Sequence, residues 1–220
     1  MIYIRLRKAI ALLISIIPFS ILRVILYRTF LGYKISKGAK IDFGTIIDVR
    51  HATIGRARIA RFSSFTGPFS LSIGDGVSIG IGNSFNAARW ATEPKFQGRG
   101  YLLECEIGND CLITSKHIFD VVGGFKLGER SWIAGSSSQF WTHGAGINKP
   151  IVIRKDCYVG SAVRFAPGVE IGDNCLVALG SVVTGQFQHN NLMIAGVPAK
   201  VVKKDYDWHD NIPRRLPEAG

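Results

Sequence analysis

Residues 151–184 read IVIRKDCYVGSAVRFAPGVEIGDNCLVALGSVVT, and apolar side chains recur in them at every sixth position, at Ile153, Val159, Phe165, Ile171, Val177 and Val183. A second register runs beside the first: Cys157, Val163, Val169, Cys175 and Ser181 stand four residues after the apolar one, and Gly160 and Gly172 follow it directly. A period of six matches neither the 3.6-residue turn of a helix nor the simple alternation of a strand; it fits a short strand plus a sharp turn, repeated. Three such units make a triangular coil of about 18 residues, and stacked coils pair as parallel strands about 4.8 Å apart around continuous ladders of side chains. The spacing therefore predicts an all-β solenoid.

The same phrase occurs earlier, as Ile73-Gly74 with Ile79-Gly80 and Phe85, as Ile107-Gly108 with Ile113 and Phe119, and as Leu127-Gly128 with Ile133; its faintest start is at Ile35, Ile41 and Ile47. Two stretches break it. Residues 86–104, NAARWATEPKFQGRGYLLE, are polar, basic and aromatic and are expected to loop out, and residues 142–150, THGAGINKP, carry a histidine. Loops on a rigid scaffold are where binding groups tend to sit, so both are candidate walls of a site. Domain boundaries follow: an apolar and basic helical segment over 1–34, the repeat domain over 35–204 with those two insertions, and a tail over 205–220 that carries no motif.

The chain's 220 residues suit one domain, and its formal net charge of +11 favours an anionic partner without selecting nucleic acid, acidic lipid or a phosphorylated cofactor. No nucleic-acid-binding module is present, and the basic residues are dispersed. Cys105, Cys111, Cys157 and Cys175 lack the paired CxxC spacing of a zinc site and read as small buried hydrophobes of the ladder, so no metal is expected. At the start, Arg5, Arg7 and Lys8 precede an uncharged run from Ala9 to Leu22 that contains Pro18. That run is shorter than the roughly 20 residues of a spanning helix, and no small-x-small cleavage site follows it. It reads as uncleaved and non-spanning, a helix over residues 1–31 that lies on a membrane surface with its arginines at the head groups, or else packs on an oligomer.

Residues 151–204, above all Gly-Ser-Val-Val-Thr at 180–184 and Gly-Val-Pro-Ala-Lys at 196–200, resemble the C-terminal signature of the hexapeptide-repeat acyltransferases, which include maltose, xenobiotic and polysaccharide O-acetyltransferases. The resemblance implies a left-handed parallel β-helix with a short N-terminal helix, a homotrimer, and acetyl-CoA bound as co-substrate between adjacent β-helices. It implies that Gly160, Ser161, Ala178 and Gly180 line the groove of that co-substrate, and that Lys200 and Lys203 meet its phosphates. Small residues at β-helix corners are equally required by the turn itself, and the lysines equally suit a solvated basic end.

Acyl transfer to an alcohol needs a base near neutrality, and His143 in WTHG stands where sugar-acetylating members of the family carry their catalytic histidine. His117 in ITSKHIFD, with Asp120 three residues on and able to orient an imidazole, takes a structural or substrate-facing role. Asn86 is a candidate acceptor contact by comparison with the maltose-type members, and Trp141 could stack on a sugar ring. The reading is an O-acetyltransferase acting on a sugar of cell-envelope polysaccharide, cytoplasmic or peripheral on the inner face of the cytoplasmic membrane. The alternatives are N-acetylation of a nucleotide-linked amino sugar and a non-catalytic scaffold. A zinc carbonic anhydrase of the same architecture requires an HxxxxH pair, which His51, His117, His143, His189 and His209 do not form.

Overall fold

The computed structural model describes residues 2–96 and 98–211. From Lys34 to Val183 the chain winds through mostly short strands that pair in parallel with the strands one coil away, apart from one antiparallel pair at His143–Gly144 and Ile147–Asn148. In two-residue strands such as Tyr158–Val159 and Arg164–Phe165 the second side chain faces inward and the first outward, as the pleat requires. The inward side chains form three ladders. Ile41, Ile59, Ile79, Ile113, Ile133, Val159, Val177 and Ile194 make the first. Ile54, Ile73, Ile107, Leu127, Ile153 and Ile171 make the second. The third is Ile47, Phe65, Phe85, Phe119, Phe140, Phe165 and Val183, and all of these residues are buried. The faint start at Ile35, Ile41 and Ile47 is thus a true coil.

The third ladder is a column of stacked rings. Successive centroids from Phe65 to Phe165 lie 4.6, 4.0, 4.5 and 4.8 Å apart, with planes within 12° of parallel. The coil repeat sets this spacing, and burying each ring contributes roughly 1.5–3 kcal/mol by removing its apolar surface from water.

At one corner Asp110, Arg130, Asp156 and Asn174 adopt left-handed φ between 51° and 58°. Each turns the chain so that the next residue, Cys111, Ser131, Cys157 or Cys175, points inward. The four cysteines are free and buried, and the Cys157 thiol donates to the Gly172 carbonyl at 3.0 Å. Burial pushes the Cys111 thiol up to about 11 and Cys105 higher still, so both act as hydrophobes of the core.

The start of the chain is a helical hairpin: α1 (Ile2–Ser15) and α2 (Ser20–Leu31), separated at Pro18. It closes the open end of the solenoid. Ala11, Ile14, Val24, Tyr27 and Leu31 pack on the first coil. The Tyr27 hydroxyl accepts from the Ile47 amide at 3.1 Å and donates to the Thr45 carbonyl at 3.0 Å, while the Tyr33 hydroxyl accepts from the Val49 amide at 3.0 Å. The Ser20 hydroxyl takes the Ile41 amide at 3.0 Å, and Arg23, almost fully buried, donates to the Ile41 carbonyl at 2.8 Å. Backbone groups that another coil would have bonded are satisfied by side chains instead. Arg7 departs from the sequence expectation: it donates to the Val49 carbonyl at 2.7 Å and faces the β-helix rather than a lipid head group. At the other end Met193–Gly196 and Ala199–Lys203 pair antiparallel and stop the winding. Beyond them Trp208 is buried against Trp132 and Tyr158 and donates to the Asp156 carbonyl at 2.6 Å, which anchors the part of the tail that is described.

Phe119→Ala removes the central ring of the column and is expected to cost about 3–5 kcal/mol, read as a lowered midpoint in chemical denaturation; a loss under about 1 kcal/mol would show that the column is not the stabilising element.

Candidate active site

The corner that follows the phenylalanine column stacks Asn86, Asp120 and Trp141 in register, one per coil. After Trp141 the chain leaves the solenoid, and His143–Gly144 and Ile147–Asn148 form a small antiparallel hairpin. Asp120 fixes the base of that hairpin. Its Oδ2 accepts from the Thr142 amide at 2.9 Å, the Thr142 hydroxyl at 2.7 Å, the His143 amide at 3.1 Å and His143 Nδ1 at 2.7 Å. The carboxylate side chain is 5% exposed and the imidazole 31% exposed. The Thr142 hydroxyl in turn accepts from the Gly123 amide at 2.8 Å. Gly123 is required here, because a Cβ on it would lie 2.4 Å from the Thr142 carbonyl oxygen.

With Nδ1 turned to the Asp120 carboxylate, the neutral imidazole has Nε2 as its acceptor nitrogen, the arrangement of a proton acceptor held by a carboxylate. The ring borders an open cleft of about 1050 Å³ whose walls are the two interruptions of the repeat. From the first come Trp90, Lys95, Phe96, Arg99 and Tyr101; from the second come the hairpin and Lys149. Trp90 organises the first wall, with its ring 5.0 Å from Phe96, 5.5 Å from Tyr101 and 5.5 Å from His143. Asn148 Nδ2 donates to the Arg99 carbonyl at 3.1 Å and ties the two walls together. Arg89 reaches back to the scaffold, paired at 2.8 Å with the buried Asp48.

His117 lies elsewhere, and the expectation of a substrate contact from it is corrected. It belongs to an inward corner column with Ser63, Asn83 and Ser138 and is fully buried. Its Nδ1 accepts from the Ser138 amide at 3.1 Å, its Nε2 meets the Thr114 hydroxyl at 3.1 Å, and its own amide donates to Asn83 Oδ1 at 3.0 Å. Asp120 orients His143, not His117. Asn86 and Trp141 flank Asp120 on the adjacent coils but do not line the cleft, and the Trp141 indole donates to Gln139 at 3.3 Å.

Gly160, Ser161, Ala178 and Gly180 occupy the corner before the phenylalanine column, so within one chain they are separated from His143 by the strand at Arg164–Phe165. A Cβ on Gly160 would stand 2.7 Å from the Leu179 amide nitrogen, and the Ser161 carbonyl accepts from the Gly180 amide at 2.9 Å. Gly160, Ser161 and Gly180 therefore have a role in coil stacking. Lys200 and Lys203 lie on the final antiparallel strand, with Lys203 5.3 Å from the Tyr206 ring. Among the described residues no group of three metal-ligating side chains converges.

The coil geometry and the repeat define the class, a left-handed parallel β-helix built of hexapeptides. Residues 150–185 of the chain match the family described as bacterial transferase hexapeptide (six repeats). The chain is 42% identical over 62 residues to a galactoside O-acetyltransferase of Escherichia coli strain K12, a match covering 27% of this chain and 30% of that protein. It is 43% identical over 54 residues to WbbJ of the same organism, described as a putative lipopolysaccharide biosynthesis O-acetyl transferase, covering 24% and 27%. The chain thus matches less than a third of the length of these relatives. A crystal structure of AntD, an N-acyltransferase from Bacillus cereus in complex with coenzyme A and a nucleotide-linked amino sugar, superposes with a TM-score of 0.50 over 83% of this chain and 89% of that one, at 16% identity.

Burial lowers His117 to about 4, against an ordinary value near 6.5. The unfolded chain therefore binds the extra proton first, and stability present above about pH 6.5 is lost as pH falls toward 4. His117→Gln is expected to flatten the stability profile across that window; an unchanged slope would mean that other groups cause it.

Proposed function

We propose that this chain is an acyl-CoA-dependent transferase that moves an acetyl group from acetyl-CoA to a sugar hydroxyl, in the synthesis of cell-envelope polysaccharide. The observation that carries the reading is an imidazole held by a buried carboxylate at 2.7 Å, facing a cleft large enough for a sugar, on a hexapeptide-repeat solenoid. His143 Nε2 takes the proton of the acceptor hydroxyl as its oxygen attacks the thioester carbonyl. The carbon–sulfur bond then breaks, and the proton passes from His143 to the departing CoA sulfur. Asp120 holds the tautomer and stabilises the imidazolium formed in between.

In this reading acetyl-CoA is a co-substrate that lies between two copies of the chain in a homotrimer. A second copy brings the corner of Gly160, Ser161, Ala178 and Gly180, beside the 77% exposed Leu179, against the His143 corner of the first. Lys200 and Lys203 would sit at the nucleotide end of that groove, where lysine serves phosphate as a point charge. The outer face of the helical hairpin extends the proposal to location. Leu13, Ile16, Phe19, Ile21 and Phe30 are each at least 59% exposed, beside exposed Lys8 and Arg28, a composition suited to an anionic membrane surface. Among the described residues no helix is long and apolar enough to cross a membrane.

Free CoA thiol released from acetyl-CoA in the presence of sugar acceptors and membrane extract is the direct assay. His143→Ala is expected to lower the acceptor-dependent rate about 10²–10⁴-fold, and Asp120→Asn at least about tenfold with the KM for acetyl-CoA unchanged. Acceptor-dependent release that survives in His143→Ala would remove the base. Absence of both release and acetyl-CoA binding in the wild type would favour a scaffold.

Membrane contact is tested with Leu13→Glu/Ile21→Glu rather than by deleting residues 1–31, since Tyr27 and Val24 belong to the core. Sedimentation with vesicles containing phosphatidylglycerol should fall in the double variant while its thermal midpoint holds; unchanged sedimentation assigns that face to another protein surface.

A further inference from the structure

The cleft beside His143 is lopsided in charge. Lys95, Arg99 and Lys149 line it, and among the described residues no aspartate or glutamate does. Asp120 touches His143 from the scaffold side, buried, with four donors on its Oδ2 and the Val122 amide on its Oδ1. Lys95 is balanced by Glu93 at 3.1 Å, outside the lining. Arg99 and Lys149 are exposed and have no carboxylate partner among the described residues, and the Arg99 guanidinium lies over the Phe96 ring, 5.1 Å from its centroid. Cations gathered around one concave volume repel each other and raise the local concentration of anions. The aromatic wall of Trp90 and Tyr101 offers the apolar face on which a pyranose ring packs.

We infer that the acceptor taken by this cleft is an acidic sugar, one that carries a carboxylate or phosphoryl group close to the hydroxyl to be acylated, with Arg99 and Lys149 holding that charge. The inference rests on the transferase reading and deepens it. The cations border the same cavity as the reacting imidazole, so the charge they select sits within a sugar residue or two of the hydroxyl. The phosphates of CoA are kept away from the thioester by the long pantetheine arm and do not meet this requirement. Arg99 is suited to a planar carboxylate or a phosphoryl group by its forked donors, and its carbonyl, bonded to Asn148 on the opposite wall, holds its backbone across the cleft from Lys149.

Calorimetric titration without acetyl-CoA separates this claim from catalysis. The probes are a glucuronic-acid-containing tetrasaccharide, its carboxyl-reduced counterpart, glucose 1-phosphate and glucose. Wild type is expected to bind at least one acidic probe about tenfold or more tightly than its neutral partner, with the preference shrinking as salt rises. The carboxylate pair or the phosphate pair, whichever shows the larger ratio, identifies the source of the charge. Arg99→Gln/Lys149→Gln should erase the ratio and leave acetyl-CoA affinity unchanged. Equal binding of acidic and neutral probes, or binding of neither, overturns the inference. So does a double variant that loses acetyl-CoA affinity but keeps the sugar preference, because the cations then serve the co-substrate. A wild type that prefers acidic sugars but releases no CoA thiol would leave the binding claim standing and sink the transferase reading alone.

Discussion

Register between coils is the constraint on which the rest depends. Each coil contributes one inward side chain per face, and the parallel pairing holds equivalent positions one strand spacing apart, so the six-residue phrase becomes three continuous ladders. The five stacked rings from Phe65 to Phe165 make that register hard to slip, because a one-residue shift would turn a ring out to solvent and an outward polar residue in. The same register sets Asp120 on the coil next to Trp141, and so places its carboxylate under the backbone that leads into His143. The site geometry is inherited from packing that has nothing to do with chemistry.

The interruptions then do what the repeat cannot. The strand faces of the solenoid are flat, and the cleft is walled by segments where the hexapeptide fails, with Pro167 of the repeat at its edge. Their attachments run back to the scaffold: Arg89 to Asp48, Thr142 and His143 to Asp120, and the hairpin to the close-fitting Gly123. Loops held at several points by buried partners can present Trp90 and His143 with the fixed geometry that catalysis or recognition needs.

Much of this was legible in the sequence for a physical reason: burial on every sixth residue leaves a period that survives divergence of the individual side chains. Ile153 to Val183, the cysteines as ladder members and the two loop segments could all be read that way. The Asp120–His143 pair could not. Twenty-three positions separate the two residues, and an irregular coil intervenes, so only the register of Phe119 with Phe140 reveals that they meet. His117, closer to Asp120 in sequence, was the more natural partner there, and it faces the opposite way because it sits two residues before the ring column rather than after it. The tyrosines of the helical hairpin were equally silent, since a hydroxyl that replaces a missing strand leaves no periodic trace.

Those tyrosines bear on how copies of the molecule can meet. Tyr27, Tyr33, Ser20 and Arg23 consume donors and acceptors of the first coil, and at the far end the reversed strand Ala199–Lys203 carries the exposed Lys200 and Lys203. Among the described residues, the edge of the first coil is already satisfied by Tyr27, Tyr33, Ser20 and Arg23, so that end offers no free strand edge to a second copy. A second copy that joined this chain strand to strand would have to do so away from the helical hairpin.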